Sequence, residues 1–146
     1  MILTIDASVF FAAARPQESH YSVSRQFLRQ ARSQDTTVFC PTLALPECAA
    51  AIVRPTGDVA LAEELVALIA GFPGLRLVSL DPPLAHQAVQ VATHYRLRGA
   101  DSVYVAVANA ANATLITWDD EMLERGAGVV TTRTPLQWMA EHEAAE

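Results

Sequence analysis

Asp101-Ser102-Val103-Tyr104-Val105-Ala106-Val107-Ala108-Asn109-Ala110-Ala111, followed two residues later by Thr114-Leu115-Ile116-Thr117-Trp118, decides the fold of this chain. The first segment is apolar on nearly every face, longer than a typical strand and free of proline, so it reads as a buried helix opened by Asp101-Ser102. The second is a short, continuous apolar run that reads as a strand buried on both faces. A helix and a strand that each need cover on all sides belong to a layered α/β structure.

The same alternation extends in both directions. Upstream, residues 1–5 form an apolar strand ending at Asp6. Residues 21–32 follow as a helix with Val23, Phe27 and Leu28 on one side. Residues 36–40 make a second strand closed by Pro41, and 42–54 a helix stopped by the breaker Pro55-Thr56-Gly57-Asp58. Residues 59–72 are helical with Leu61, Leu65, Leu68 and Ile69 on one face. Residues 75–80 form a third strand, and Asp81-Pro82-Pro83 starts a helix that reaches Leu97. Arg98-Gly99-Ala100-Asp101 interrupts it. Downstream of the fourth strand (114–118), 119–125 is a short helix, 128–132 a fifth strand, and Thr134-Pro135 opens a last helix that runs into an acidic tail. No repeat, linker or low-complexity segment divides the chain, so residues 1–146 read as one domain. The expected architecture is a parallel sheet of about five strands with helices on both faces, and such sheets take ligands at the carboxyl ends of their strands.

Composition narrows the chemistry. The chain has 146 residues, 51% of them hydrophobic, enough to build a core without disulfide or metal staples. Cys40 and Cys48 fit no zinc spacing and read as reduced, buried thiols. His20, His86, His94 and His142 are dispersed, which argues against a soft-ligand metal site. No apolar run approaches the roughly 18 residues of a membrane span, and no secretory signal opens the chain, so a cytoplasmic protein without membrane attachment is expected. The net charge of −6 argues against a broad nucleic-acid footprint but not a local one. All ten cationic residues are arginine. The absence of lysine excludes a P-loop and Schiff-base chemistry, whereas arginine can still grip phosphates bidentately.

Four carboxylates fall where this topology collects them. Asp6 follows strand one, Glu47 lies early in the helix after strand two, Asp101 opens the helix leading to strand four, and Asp119 follows strand four with Asp120 beside it. Each alone could cap or simply begin a helix. Together, set in apolar surroundings such as Leu43-Ala44-Leu45-Pro46-Glu47-Cys48-Ala49-Ala50-Ala51-Ile52, they would repel one another unless a cation relieved them. Carboxylate ligands suit Mg2+ or Mn2+, and a hard cation held by acids suits phosphodiester cleavage by an activated water.

Ile2-Leu3-Thr4-Ile5-Asp6-Ala7-Ser8-Val9, Leu45-Pro46-Glu47-Cys48-Ala49-Ala50-Ala51, Arg98-Gly99-Ala100-Asp101-Ser102-Val103-Tyr104-Val105-Ala106-Val107-Ala108 and Leu115-Ile116-Thr117-Trp118-Asp119 resemble, in order and spacing, the four motif blocks of the PIN domain, and most closely the VapC-type toxins. The resemblance spans nearly the whole chain. It implies a PIN-like fold in which Asp6, Glu47, Asp101 and Asp119 are the catalytic and metal-holding acids for Mg2+ or Mn2+. It also implies that Ser8 and Thr117 orient a carboxylate or water, with Asp120 as an outer member. The implied activity is cleavage of structured RNA of the transfer or ribosomal class. The implied partners are a cognate antitoxin covering the cleft and a second copy of the chain in a homodimer. Arg54 and Arg98 stand near the motif blocks as candidate phosphate contacts, as do Arg15 and Arg96. Phe10-Phe11, Trp118 and Trp138 read as core or dimer contacts.

Other readings of the acids remain. A receiver-like phospho-acceptor needs a lysine after its last strand, and a haloacid dehalogenase-like phosphatase needs a second aspartate where Ser8 stands. A solitary PIN nuclease without an antitoxin, or a catalytically silent PIN interaction module, would carry the same fold. The silent module usually lacks one of the acids, and all four are present.

Overall fold

In the computed structural model, which describes residues 1–143, β1 (Ile2–Ile5) is the middle strand of a five-stranded sheet of order β3-β2-β1-β4-β5 in which every neighbouring pair is parallel. The chain leaves β1 through α1 (Ala7–Ala14) and α2 (Tyr21–Ser33) to β2 (Thr37–Pro41). It continues outward through α3 (Ala44–Thr56) and α4 (Val59–Ala70) to the edge strand β3 (Leu75–Val78). Then α5 (Pro82–Tyr95) and α6 (Gly99–Ala111) carry it back across β2 and β1 to β4 (Thr114–Ile116). The short α7 (Asp120–Gly126), β5 (Thr132–Arg133) and α8 (Pro135–Glu143) complete the fold. The order reverses at β1, whose two neighbours are reached in opposite directions, and the crevice at such a switch point is the natural ligand site of an open parallel sheet.

Alternation along β2 shows how the two faces are covered. Val38 and Cys40 enter the main core with Leu3, Ile5, Phe27, Ile52 and Leu65, while Phe39 packs against a second cluster built from Leu84 and Ala88 of α5 and Val103, Ala106 and Val107 of α6. The helix expected to be apolar on nearly every face, α6, is buried continuously from Ser102 to Ala108. Gly74, at positive φ, passes so close to the Thr36 carbonyl that no side chain would fit there.

The structure corrects several expected boundaries. Helix α1 was not anticipated; its Ala-Ser-Val-Phe-Phe-Ala-Ala-Ala sequence has apolar residues on all sides and lacks a polar face to reveal a helical period. Pro55 does not stop α3 but occupies its last turn, and Gly57 in the left-handed conformation ends the helix. The fifth strand is Thr132–Arg133 instead of 128–132, because the preceding residues turn back on α7 and leave two positions to pair with β4. Leu68 does not join Leu65 and Ile69 in the core but is 66% exposed. Arg98 stands at the N-cap of α6, placing Asp101 within its first turn and not at its start. The acidic tail ends beyond Glu143, outside the described residues. No described helix is long and apolar enough to cross a membrane.

Candidate active site

The carboxyl edge of the sheet places Asp6, Thr117 and Asp119 at the β1–β4 switch point, with Asp101 and Glu47 near enough for their charges to act on Asp6. Asp6 continues β1 by donating its backbone N–H to the Ile116 carbonyl at 2.9 Å, and it is buried, only 6% exposed. The Thr117 hydroxyl, just past β4, donates to Asp6 Oδ2 at 2.8 Å and accepts from the Asp119 N–H at 3.0 Å. Ser8 Oγ lies 3.5 Å from the same hydroxyl and accepts from the Trp118 N–H at 3.1 Å. Ser8 and Thr117 thus tie the ends of β1 and β4 together, and Thr117 also contacts the Asp6 carboxylate.

Burial pushes the Asp6 carboxyl up to about 6, the Ser8 and Thr117 hydroxyls pull the other way, and the charges of Asp101 and Glu47 raise it further. Glu47, half-buried in the first turn of α3, accepts from the Tyr104 hydroxyl at 2.8 Å. Tyr104 is fully buried, and its hydroxyl is driven far above its ordinary range by burial and by the charges of Asp6 and Glu47, so it keeps the proton that it donates to Glu47. Asp101 is raised by burial, with Arg98 opposing the shift. Asp119 caps α7, its Oδ1 accepting from the Met122 N–H at 2.9 Å.

Arg98 links the outer two acids. Its Nε lies 2.9 Å from Asp101 Oδ2 and its Nη2 lies 3.0 Å from Asp119 Oδ2, while the arginine side chain is 68% exposed. A cation therefore already sits between two of the acids. In this arrangement no three acids, histidines or cysteines among the described residues stand close enough to enclose one ion. The donor set still fits a hard divalent cation. It consists of carboxylates and hydroxyls around a carboxyl that burial, with two neighbouring charges, raises to about 6.

The remaining candidates lie further out. Asp120 opens α7 with its side chain exposed. Arg54, also exposed, shares with Glu47, Ala50, Ala51 and Pro55 an open depression of about 590 Å³ along α3. Arg15 is engaged with Glu18 at 3.7 Å. Arg96 is exposed in the left-handed conformation after α5. Cys40 and Cys48 are free and buried, and burial pushes both thiols up to about 12. Phe10 and Trp138 lie in the core, whereas Trp118 stays half-exposed at the sheet edge. Reading the sequence missed Tyr104, counted there as one more apolar residue of α6. Its spacing, one helical turn after Asp101, was the available signal.

A model of the PIN domain matches residues 3–129. The chain belongs to the PIN domain family. The PIN fold of this chain is similar to that of several solved structures. The Mycobacterium tuberculosis toxin VapC20, described as cleaving the sarcin–ricin loop, has a TM-score of 0.74 at 18% identity, covering 91% of this chain and 99% of that one. VapBC2 from Rickettsia felis, bound to a promoter DNA fragment, has a TM-score of 0.71 at 14% identity, covering 92% and 98%. FitAcB from Neisseria gonorrhoeae has a TM-score of 0.70 at 19% identity, covering 93% and 99%. At these identities the similarity establishes the fold alone. Comparison with curated proteins finds no match.

Away from the acids, a groove of about 300 Å³ runs between α1, α2 and α4. Phe10, Leu28, Leu65 and Leu68 line it, with Arg25 and Arg32 at its margin.

Proposed function

We propose that this PIN domain is a divalent-metal-dependent endoribonuclease that cuts structured RNA of the transfer or ribosomal class, and that it is the toxin of a VapBC-type pair. The observation that carries the reading is Asp6: a carboxyl at the switch point, braced by Thr117 and raised by its burial and, to a lesser degree, by the charges of two further acids. A protein does not bury such a group without cost, and a divalent cation is the partner that removes the cost.

Asp6, Glu47, Asp101 and Asp119 would hold Mg2+ or Mn2+, and the bound ion would supply charge neutralisation at the phosphate and an acidified water. The protein's own groups do the positioning. Thr117 fixes the orientation of Asp6, Tyr104 that of Glu47, and the first turn of α7 that of Asp119. Arg98 exchanges its carboxylate partners for a phosphate oxygen of the substrate, and Arg54 extends the same cationic track along α3. Because the chain carries a net charge of −6, these few arginines must provide the local attraction for RNA.

Related folds include toxin–antitoxin complexes, which supports an antitoxin partner. The apolar groove bordered by Arg25 and Arg32 offers such a partner a place for an amphipathic segment with acidic flanks. The working form is taken to be a homodimer in the cytoplasm.

The test is cleavage of total cellular RNA by the purified chain in Mg2+, in Mn2+ and in EDTA, with Asp6→Asn and Asp101→Asn alongside. Discrete metal-dependent fragments lost in both variants, with circular dichroism unchanged, support the assignment. Cleavage that survives either substitution or EDTA overturns it. Growth arrest on expression, relieved by a small co-encoded partner, distinguishes a toxin from a solitary nuclease or a silent interaction module.

A further inference from the structure

His20, at the N-cap of α2, lies flat on the indole of Trp118, with ring centroids 3.7 Å apart and planes 4° from parallel. We infer that this pair is a stacking platform for one unpaired nucleobase beside the scissile phosphate, an inference that rests on the ribonuclease reading above.

Topology places the pair on the acid edge. Helix α2 runs down to the start of β2, which is parallel to β1, so the N-terminus of α2 lies at the carboxyl edge where β1 and β4 end. Trp118 stands between Thr117, which braces Asp6, and Asp119, which caps α7. Its backbone N–H is held by Ser8 Oγ at 3.1 Å, and its indole Nε1 donates to the fully buried Ser24 Oγ at 2.8 Å. The indole is therefore fixed in the same frame as the acids, and its orientation is set before any substrate arrives.

Trp118 rests against the main core, but the two tryptophans differ in how far they are covered. Trp138, the chain's other tryptophan, also has a histidine stacked on it, His142 at 4.2 Å, but it is 1% exposed and packs edge-on against Phe27. Trp118 is only half-buried, and His20 is exposed. The His20 ring makes no side-chain hydrogen bond among the described residues, so its contact is the stack itself. A flat, exposed ring on an anchored indole at the rim of an acidic cleft matches what unstacked bases use on single-stranded RNA-binding proteins. Bases within a duplex already have both faces covered by their neighbours, so such a platform selects looped or unpaired nucleotides over helical ones.

The probe is a short mixed-sequence RNA, presented as a single strand and as the same strand annealed to its complement, with Ca2+ in place of Mg2+ to hold binding apart from cleavage. Tryptophan emission reads the site, because Trp138 is buried and supplies a constant background. The expected result is quenching by the single strand but not by the duplex. His20→Ala should bind the strand about ten-fold more weakly, and His20→Phe, which keeps a ring, should restore binding. Melting temperature is recorded for each variant so that loss of α2 is not mistaken for loss of stacking. Equal binding by His20→Ala, equal affinity for strand and duplex, or RNA binding without any change in emission overturns the platform while leaving the nuclease reading standing. Wild-type protein that neither binds nor cuts RNA overturns both.

Discussion

Thr117 Oγ1 donates to Asp6 Oδ2 at 2.8 Å across 111 residues of sequence, and the same oxygen accepts the Asp119 N–H at 3.0 Å. One hydroxyl therefore sets the orientation of the buried acid and the start of α7. Thr117→Val keeps the shape and removes the donor, leaving Asp6 without that charge-assisted bond. RNA cleavage should fall by about 10- to 100-fold, the usual scale for a residue that orients a metal-holding carboxylate. Thr117→Ser should retain most of the activity. A wild-type rate for the valine variant would remove Thr117 from the machinery.

Asp6 also gives the metal-free protein a defined pH dependence. Its folded value of about 6 lies above the ordinary 3.8, so the folded state binds the proton more tightly than the unfolded chain. Between those values stability falls as pH rises, and above about 6 the ionised carboxyl costs on the order of 3 kcal/mol. Asp6→Asn cannot ionise and keeps an acceptor for Thr117. In urea unfolding the gap in favour of Asp6→Asn should open from about pH 4 and level off above about pH 6. Added Mn2+ should narrow it by binding only the native wild type. A constant gap across that range would show that Asp6 does not carry the shift.

In the proposed metal site Arg98, paired to Asp101 and Asp119, would compete with the ion for them. Removing it frees two carboxylate oxygens and deletes a nearby positive charge. Because the guanidinium is 68% exposed, the effect is moderated by solvent. Calorimetric titration of Arg98→Gln with Mn2+ should show binding about 2- to 5-fold tighter than wild type, even as RNA affinity declines. Unchanged or weaker Mn2+ binding would mean that Arg98 helps to organise the ion site and does not oppose it.

Tyr104→Phe tests the second brace. The substitution leaves Glu47 without its 2.8 Å donor at little change in volume. Cleavage should drop by about ten-fold, with the unfolding free energy changing by no more than about 1 kcal/mol, since Glu47 is half-exposed and can turn to water. Full activity would show that Glu47 is positioned by α3 alone.

Cys40 and Cys48 should resist iodoacetamide at neutral pH until denaturant is added. Both are fully buried, and burial holds each thiol near 12. Rapid alkylation of the native protein, read by mass spectrometry, would contradict that packing.

The amino-acid sequence alone determined the layer order and the chemistry on offer. Continuous apolar runs specify buried parallel strands, a helix from Asp101 to Ala111 that is apolar on nearly every face requires cover, and four acids fall near element ends. These features are local patterns of hydrophobicity, and local patterns survive in one dimension. Helix α1 is not legible in the sequence because its residues, Ser8 apart, are all apolar and carry no amphipathic period. The contacts that shape the site were likewise decided in three dimensions. Thr117 reaches Asp6, Tyr104 reaches Glu47, Arg98 reaches Asp119, and His20 reaches Trp118 only after the crossover helices have brought β1, β4, α2, α3 and α6 to one rim. Hydrogen bonds and ring stacks depend on ångström-scale placement, which hydrophobic spacing along a chain does not encode.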